Sequence, residues 1–359
     1  PAAGVVIAIC CAFRGTRTVD RRNANSAGPV ESTNTHLRRR VIVAWTGREV
    51  RDSVFEVAAF EFRAPVDSDA TRLAELSAVK VAESGVHEDL ETAAHVRARW
   101  EMPGFDRAKH EVLLDLDGKL AASMYLRFDQ GMADGWAYVR PEFRGRGIGT
   151  ALMDWLVKTA RAHGEVRELY AYGTTGMPGS TELVSRYPGA KRANNFLRLR
   201  HVSPGTAAKP EWPEGVRLVP MAVEALVDVV AQIHDEAFRT NWGFRPAQRD
   251  RLLHEAKHDD PSMWLVARDA DGPVGFFQSR VRQTPGLTYG EGYGIGVVDR
   301  YRGSTLPSAL LREGLHRMAE RGAQEVVSGV DGRLWSAVFL YTSNGYVCTH
   351  EGCAYAIPF

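Results

Sequence analysis

Apolar positions along residues 60–130 predict a short strand, an amphipathic helix and a two-stranded hairpin. The strand covers 60–63, and the helix runs to Lys80 with Asp67 or Ser68 as its N-terminal cap. Two apolar runs of strand length follow, separated by Asp117-Gly118, a dipeptide typical of a tight β-turn. This part of the chain is therefore predicted to mix α and β structure.

The same order of elements returns in the second part of the chain. A strand is predicted at 216–219, a helix at 223–238 and a hairpin around Asp271-Gly272. Residues 201–215 contain three prolines and two glycines, a composition typical of a linker. Residues 1–57 match neither part and are predicted to be a partly flexible extension.

One segment combines a strand, a basic glycine-rich turn and a helix. The strand covers 136–139, and the helix opens at Thr150 and stops at Gly164. Free N–H groups and the dipole at a helix N-terminus attract anions. Glycines let the backbone approach a phosphate and arginines add charged donors, here Gly145, Gly147, Gly149, Arg144 and Arg146. The turn is predicted to bind a pyrophosphate; the alternative is an ordinary turn that uses glycine for tight packing.

The spacing of the glycines in this turn distinguishes among the known types of phosphate-binding loop. The dinucleotide pattern G-x-G-x-x-G fails because Thr150 stands where the third glycine is needed, and no G-K-S/T follows for a Walker loop. Arg144-x-x-Gly147-x-Gly149, preceded by V-x-P-E, instead resembles the acetyl-CoA loop of the GNAT superfamily of N-acetyltransferases. The resemblance implies acetyl-CoA as co-substrate and no metal.

By the same resemblance, amides of the strand and of the loop hold the acetyl-CoA. The implied contacts are Ala137, Tyr138, Val139, Arg144, Gly145, Arg146, Gly147, Ile148, Gly149 and Thr150. Acetyl transfer passes through a tetrahedral oxyanion, which needs a preorganised N–H donor. The family implies a backbone amide near Val139, where the strand separates from its neighbour.

The loop has a counterpart 158 residues later, at Arg302-Gly303, and the helix-ending Gly322 keeps the same offset. The next strands, from Glu168 and from Val326, are also expected at 158. The chain is therefore predicted to be a tandem duplication of mixed α/β (α+β) class, with two GNAT-fold domains that are each a mixed sheet flanked by helices. The predicted parts are the extension 1–57, an N-terminal domain 58–200 with the intact loop, the linker 201–215 and a C-terminal domain 216–359.

The second loop departs from the family pattern. Thr305 takes the place of Gly147, and Pro307 takes that of Gly149. Proline has no N–H to offer a phosphate, although it suits the first turn of a helix. The C-terminal loop is therefore expected to be degenerate, with one acetyl-CoA per chain in the N-terminal domain.

Acetylation of an amine needs a base, because an alkyl amine is protonated at neutral pH. Asp134 and Glu291, each on the strand before a loop, are the candidate carboxylates; the alternative is a solvated strand end. In the family a tyrosine in an L-Y-x-x-x-G-F segment often protonates the CoA thiolate. The resemblance gives this role to Tyr341, or in the first domain to Tyr187, while a buried core position is the alternative for Tyr341.

The arrangement resembles tandem GNAT proteins of the mycothiol synthase type, as does the segment A-F-R-T-N-W-G-F-R-P at 237–246. The aromatic side chains of this segment are expected either to line a substrate pocket or to pack under a loop. The resemblance implies a small-molecule amine as the acceptor.

Composition narrows the range of partners. The formal net charge is +1, so a nucleic-acid partner is not expected, and the longest apolar run, from Gly4, is too short to span a membrane. The four cysteines form neither a disulfide framework nor a zinc motif, which favours a cytoplasmic protein.

The sequence thus predicts an N-acetyltransferase that moves acetyl from acetyl-CoA to a primary amine of a small molecule, by direct attack in a ternary complex. The alternative is a catalytically silent CoA-binding sensor or scaffold, because each half keeps groups that the other has lost. A transferase that uses charged tRNA is disfavoured by the near-neutral charge and the intact CoA loop.

Overall fold

The computed structural model describes residues 60–86, 90–284 and 286–359; the predicted extension 1–57 lies outside them. The described helices are α1 (Asp69–Ser84), α2 (Ala93–Trp100), α3 (Arg107–His110), α4 (Ile148–His163), α5 (Ser180–Ser185), α6 (Val223–Phe238), α7 (Arg249–His258), α8 (Leu306–Glu320) and α9 (Trp335–Ser343). The strands are β1 (Glu111–Leu116), β2 (Lys119–Asp129), β3 (Met132–Val139), β4 (Glu168–Thr174), β5 (Lys191–His201), β6 (Arg217–Leu218), β7 (Leu265–Arg268), β8 (Pro273–Thr284), β9 (Leu287–Val297), β10 (Glu325–Asp331) and β11 (Val347–Ala356).

The strands form one continuous sheet in the order β1-β2-β3-β4-β11-β5-β10-β9-β8-β7-β6. Neighbours are antiparallel except for β3 with β4 and β9 with β10. Each parallel pair is connected through a long helix, α4 or α8, as parallel pairing requires. The predicted mixed α/β class is confirmed.

The last strand of each half lies beside strands of the other half. We call 60–201 the first half and 216–359 the second half. β11, which ends the second half, pairs with β4, and β5, which ends the first half, pairs with β10. β5 and β11 also pair with each other. Because of this strand exchange, neither half completes its sheet from its own residues.

The helices and the turns that follow them keep the predicted offset of 158 residues. α4 begins at Ile148 and α8 at Leu306, and the same number separates Gly164 from Gly322. Both glycines have a left-handed φ, of +75° and +86°, where a side chain would be strained. The two crossover units therefore match residue by residue through their helices.

The strands after these helices match at 157 residues instead. The N–H of Arg167 donates to Gly131, and the N–H of Gln324 makes the equivalent bond to Thr288. β9 carries one extra residue, a bulge at Tyr293, which restores the offset of 158 before the second loop. The predicted unbroken register was therefore wrong by one residue at the strands.

Two of the predicted strands are shorter than expected. Residues 60–63 contribute only an isolated bridge between Arg63 and Leu113, and 216–219 yields the two-residue β6. The helix at 223–238 forms as predicted. The predicted linker packs on α8, where Arg312 donates to the carbonyl of Lys209 and pairs with Glu211. No helix in the described ranges is long and apolar enough to cross a membrane.

Candidate active site

Two left-handed glycines shape the loop between β3 and α4. Gly145 has a φ of +76° and Gly147 a φ of +87°, and apart from the adjoining residues no atom of the described chain lies within 4 Å of a Cβ built at either position. The N–H groups of 145–150 donate to no other part of the described chain, and α4 has no side-chain cap. The loop thus presents free donors at a helix N-terminus, the arrangement that binds phosphates.

Gly149 has a different role from its two neighbours. A Cβ at this position would lie 2.8 Å from Cδ2 of Leu183 on α5. Its hydrogen therefore lets α4 and α5 approach each other closely, which is the packing role that the alternative interpretation gave to glycine. Its N–H still belongs to the first turn of α4.

The guanidinium of Arg144 binds a carboxylate of α1. It forms a two-bond ion pair with Glu83, and its Nε donates to the carbonyl O of Val139 at 3.0 Å. The Tyr138 hydroxyl donates to the same carboxylate at 3.1 Å, and the bond from Arg144 lowers the pKa of Glu83. Arg144 therefore fixes the strand end to α1, and the half-exposed Arg146 is the better placed cation for a phosphate.

β3 separates from β4 before it reaches the loop. The parallel pairing ends at Gly135, while β3 stays paired with β2 as far as Val139. The N–H of Arg140 points at β2, so alternation along the strand directs the N–H groups of Val139 and Ala137 into the gap. The amide of Tyr138 points at β2 instead. The predicted donor near Val139 thus lies at an open strand edge.

A groove of about 820 Å³ runs between α4 and α5 from the Thr150 turn, and we call it the nucleotide groove. Its lining carries two arginines, Arg161 and Arg186, and two acidic residues, Asp154 and Glu182. Tyr187 also lies here, where its hydroxyl donates to Asp154 at 3.0 Å and burial raises its pKa to about 12. Tyr187 lines this groove rather than the cavity described next, so the structure does not support its predicted catalytic role.

A cavity of about 330 Å³ lies between the two halves, and we call it the central cavity. The first half contributes α1, α2 and the separated ends of β3 and β4, and the second half contributes β8, β9 and β10. Three aromatic rings of the first half stack along it, with centroids 5.2 Å apart between Tyr125 and Trp136 and 5.5 Å apart between Trp136 and Tyr172. The separated strands of the intact half therefore open onto this cavity.

The second half supplies a charged wall to the central cavity. Arg280 donates to Glu291 at 2.7 Å and to Asp259 at 3.0 Å. Arg282 lies 2.8 Å from Nε2 of His95 on α2, and burial together with Arg282 lowers the pKa of His95 to about 4. His95 is therefore neutral near pH 7 and accepts a hydrogen bond from Arg282.

Neither the arginines of this wall nor a second ionic cluster across the cavity was predicted from the sequence. Arg99 of α2 is buried, and it pairs with Glu91 and with Glu111 of β1. The available signal was the alternation of Arg280 and Arg282 in the apolar run of β8, where charges are unusual unless they are paired.

Asp134 and Glu291 occupy the same position of the repeat. Asp134 is opposite Tyr170 in the β3–β4 pair, and Glu291 is opposite Val327 in the β9–β10 pair. The two carboxylates nevertheless line different cavities. Glu291 lines the central cavity, whereas Asp134 lines a second one of about 190 Å³ that we call the side cavity.

Only one of these two carboxylates has an oxygen to spare. Asp134 is 1% exposed and accepts from the Tyr172 hydroxyl at 2.6 Å, from Arg245 at 2.7 Å and from Arg127 at 3.2 Å. Both of its oxygens accept hydrogen bonds within the protein. Asp134 is therefore neither a solvated residue at a strand end nor well placed to act as a catalytic base. Oε1 of Glu291 has no hydrogen-bond partner in the described ranges, while Oε2 binds Arg280. Burial raises the pKa of Glu291, but Arg280 outweighs it and the net pKa lies below the ordinary value.

Tyr341 lies in the core of the second half. It is 0% exposed, its ring packs edge-on against Tyr346 at 5.0 Å, and burial raises its pKa to about 12. It lines none of the three cavities described here. This is the core alternative stated for Tyr341, and the structure does not bring it to the intact loop.

The second loop differs from the first in its backbone as well as in its side chains. Thr305, at the place of Gly147, has a φ of −75°. The N–H of Leu306 donates to the Ser304 hydroxyl at 3.2 Å, and Pro307 has no N–H. The second loop therefore keeps the first left-handed glycine, Gly303 with a φ of +78°, but lacks the second one. It also lacks three of the free donors of the first loop, because the N–H of Ser304 donates to the carbonyl of Tyr301 as well.

The chain matches the model of the acetyltransferase (GNAT) family twice, at residues 77–184 and 227–346. The chain belongs to the GNAT acetyltransferase family. It is 30% identical over 276 residues to the mycothiol acetyltransferase of Thermobispora bispora, which covers 70% of this chain and 90% of the relative. The same enzyme of Nocardia farcinica is 30% identical over 262 residues, covering 69% and 83%.

Solved GNAT structures have the same arrangement. A GCN5-related N-acetyltransferase from Sphaerobacter thermophilus superposes with a TM-score of 0.67 at 25% identity, covering 83% of this chain and 95% of that one. A tandem GNAT protein from the clavulanic acid biosynthesis pathway has a TM-score of 0.63 at 16% identity, covering 83% and 98%. The predicted tandem GNAT architecture is confirmed, and the chain is an acyl-CoA-dependent acetyltransferase.

Proposed function

We propose that the chain transfers acetyl from one acetyl-CoA, bound by its first half, to a primary amine of a small molecule in the central cavity. The observation that carries this proposal is the first loop, whose free N–H groups adjoin both the gap between β3 and β4 and the nucleotide groove. The second loop supports a single site because its Leu306 N–H is capped and Pro307 has none.

Each part of acetyl-CoA has suitable residues in the first half. The pyrophosphate binds the N–H groups of 145–150, with Arg146 as a nearby cation. The pantetheine arm enters the strand gap, where Ala137 and Val139 offer N–H groups. The nucleotide lies along the groove between α4 and α5, with Arg161 and Arg186 available to its phosphate.

The acceptor amine is held by Glu291. The carboxylate is ionised at neutral pH because Arg280 keeps its pKa low, and its free Oε1 binds the ammonium. The ammonium passes one proton through the carboxylate to water, and the amine nitrogen then attacks the thioester carbon. The N–C bond forms, the C–S bond breaks, and the nitrogen gives up its second proton, which the CoA thiolate takes up as it leaves. The N–H of Val139 donates to the oxyanion between these steps.

Relatives that are named mycothiol acetyltransferases support a small-molecule acceptor. The mixed lining of the central cavity, with three stacked aromatic rings and paired charges, suits a polar amine better than a protein side chain on a large surface.

Calorimetry and a turnover assay with the full chain test the proposal. Acetyl-CoA is expected to bind with a stoichiometry of one, and free thiol is expected to appear only when a suitable amine from a panel is added. Two equivalents of acetyl-CoA would contradict the single site. Binding without amine-dependent thiol release across the panel would favour the sensor or scaffold alternative.

A further inference from the structure

The side cavity is the feature of the molecule that the proposed function does not use. It lies between strands β2 to β4 of the first half and the segment 241–248, α6 and α7 of the second half. Aromatic side chains supply much of its wall: Tyr170, Tyr172, Phe238, Trp242, Phe244 and Tyr293. Tyr172 and Tyr293 also line the central cavity, so the two cavities share a wall. The aromatic side chains of the 237–246 segment, for which pocket lining was one of two expectations, lie in this wall.

Most of the charges around the side cavity are paired with one another. Asp129 accepts from Arg245 and Arg251, and Asp134 accepts from Arg127 and Arg245. Glu255 of α7 is the exception among these charged groups, because its carboxylate has no hydrogen bond or ion pair within the described residues. A carboxylate left in this position has room for a cationic partner.

A donor is also left over in the lining. Gln278 of β8 is 6% exposed, and its amide Nε2 has no partner among the described atoms. The Nε atoms of Arg127 and Arg251 are buried and unbonded as well. A buried donor without a partner is unfavourable, so an acceptor that reached these groups would be stabilised by them.

We infer that the side cavity binds a small zwitterion with both an ammonium and a carboxylate, of the class of free amino acids with an apolar side chain. The ammonium pairs with Glu255, the carboxylate accepts from Gln278, and the apolar part contacts Trp242 and its aromatic neighbours. The lining carries three arginines and three acidic side chains, so an ion of either sign would leave a charge uncompensated, whereas a zwitterion would not.

Size supports the same class of ligand. At about 190 Å³ the cavity is smaller than the roughly 300–1,000 Å³ typical of sites for larger organic ligands, which rules out a CoA thioester. The degenerate second loop also provides no acetyl donor on this side. The site is therefore a binding site without chemistry of its own, and it does not depend on the acetyl transfer proposed above.

Three ligands with one carbon skeleton test the inference by calorimetry on the full chain. L-Leucine carries both charges, 3-methylbutylamine lacks the carboxylate, and 4-methylpentanoate lacks the ammonium. Leucine is expected to bind with a stoichiometry of one, and each truncated ligand at least tenfold more weakly. Equal binding of the amine or of the acid would overturn the zwitterion, and no leucine binding up to its solubility limit would overturn the site.

Two matched variants locate the binding. Glu255→Gln should weaken leucine binding at least tenfold and 4-methylpentanoate binding much less, because only the ammonium contact is changed. Glu291→Gln alters the central cavity and should leave leucine binding unchanged. The opposite pattern would place the ligand in the central cavity and refute the inference. Circular dichroism confirms the fold of each variant, and the ligand series tests the inference on the wild-type chain without any substitution.

Discussion

Replacement of Gly147 by proline tests the assignment of acetyl-CoA to the first half. Proline fixes φ near −65°, whereas Gly147 has a φ of +87°, so the loop cannot keep its conformation. The same substitution removes one of the N–H donors of the loop. The helix that follows should survive, because proline is well tolerated at the start of a helix.

The size of the effect follows from the lost donor alone. A hydrogen bond to a charged group contributes about 1.5–3 kcal/mol. At about 1.4 kcal/mol for each factor of ten, the affinity for acetyl-CoA should fall by roughly 10-fold to 150-fold. Displacement of the neighbouring donors adds to this loss, so the expected effect is well over tenfold.

The matched control is Thr305→Pro, at the same position of the repeat in the second half. Thr305 has a φ of −75°, which already suits proline, and its side chain makes no capping bond. Isothermal titration calorimetry should therefore show wild-type affinity for Thr305→Pro and a large loss for Gly147→Pro, with normal circular dichroism for both. Unchanged affinity in Gly147→Pro, or a loss only in Thr305→Pro, would refute the assignment to the first loop.

Three further predictions concern the acceptor site, an ion pair of α1 and the packing of α8. Glu291→Gln should lower kcat/KM for the amine about 100-fold or more without changing acetyl-CoA affinity. An equal loss of kcat/KM in Asp134→Asn, with no loss in Glu291→Gln, would instead place the acceptor in the side cavity. The ion pair with Arg63 lowers the pKa of Asp69 to about 2. The stability that this pair adds, about 1–2 kcal/mol given the partly exposed arginine, is present above the unfolded pKa of ~3.9 and is lost as the pH falls towards 2. In urea unfolding between pH 5 and pH 2, the free energy of unfolding should fall less with decreasing pH in Asp69→Asn than in the wild-type chain. Gly314→Ala places a Cβ 2.0 Å from a phenylalanine ring of β8. This overpacking costs about 1–3 kcal/mol, whereas alanine gains about 1 kcal/mol in helix propensity. The substitution should therefore lower the melting temperature.

Local patterns identified the parts of the site that are continuous in the sequence. The strand, loop and helix form in the predicted order, with the strand beginning earlier, at Met132, and the helix at Ile148 instead of Thr150. Glycine positions, apolar spacing and the helix stop all act within this one segment. The loss of phosphate-binding features in the second loop was also predictable from the sequence, since Thr305 and Pro307 change the backbone at the residues concerned.

The sequence could not show which side chains meet across the halves. Asp134 and Glu291 were assigned to sites by their position before each loop, but the cavity that each one lines depends on how the two halves of the sheet join. Arg144 was expected to bind phosphate, yet its ion pair with Glu83 spans 61 residues and leaves no mark on local spacing. Tyr187 and Tyr341 match a family segment in sequence but are held in the nucleotide groove and in the core.

The strand exchange has a consequence for how such a protein can change over time. A single repeat would offer its last strand to a second copy, so we expect one repeat alone to complete this sheet only as a pair of chains. Joining the two copies in one chain makes the partner permanently available at high effective concentration. Fusion then relaxes the constraint on one copy's cofactor loop. It does not relax the constraint on β11, which completes the sheet beside β4, or, under the proposed mechanism, on Glu291, which lines the central cavity between the halves. The half that has lost its phosphate loop is for this reason indispensable to the half that has kept it.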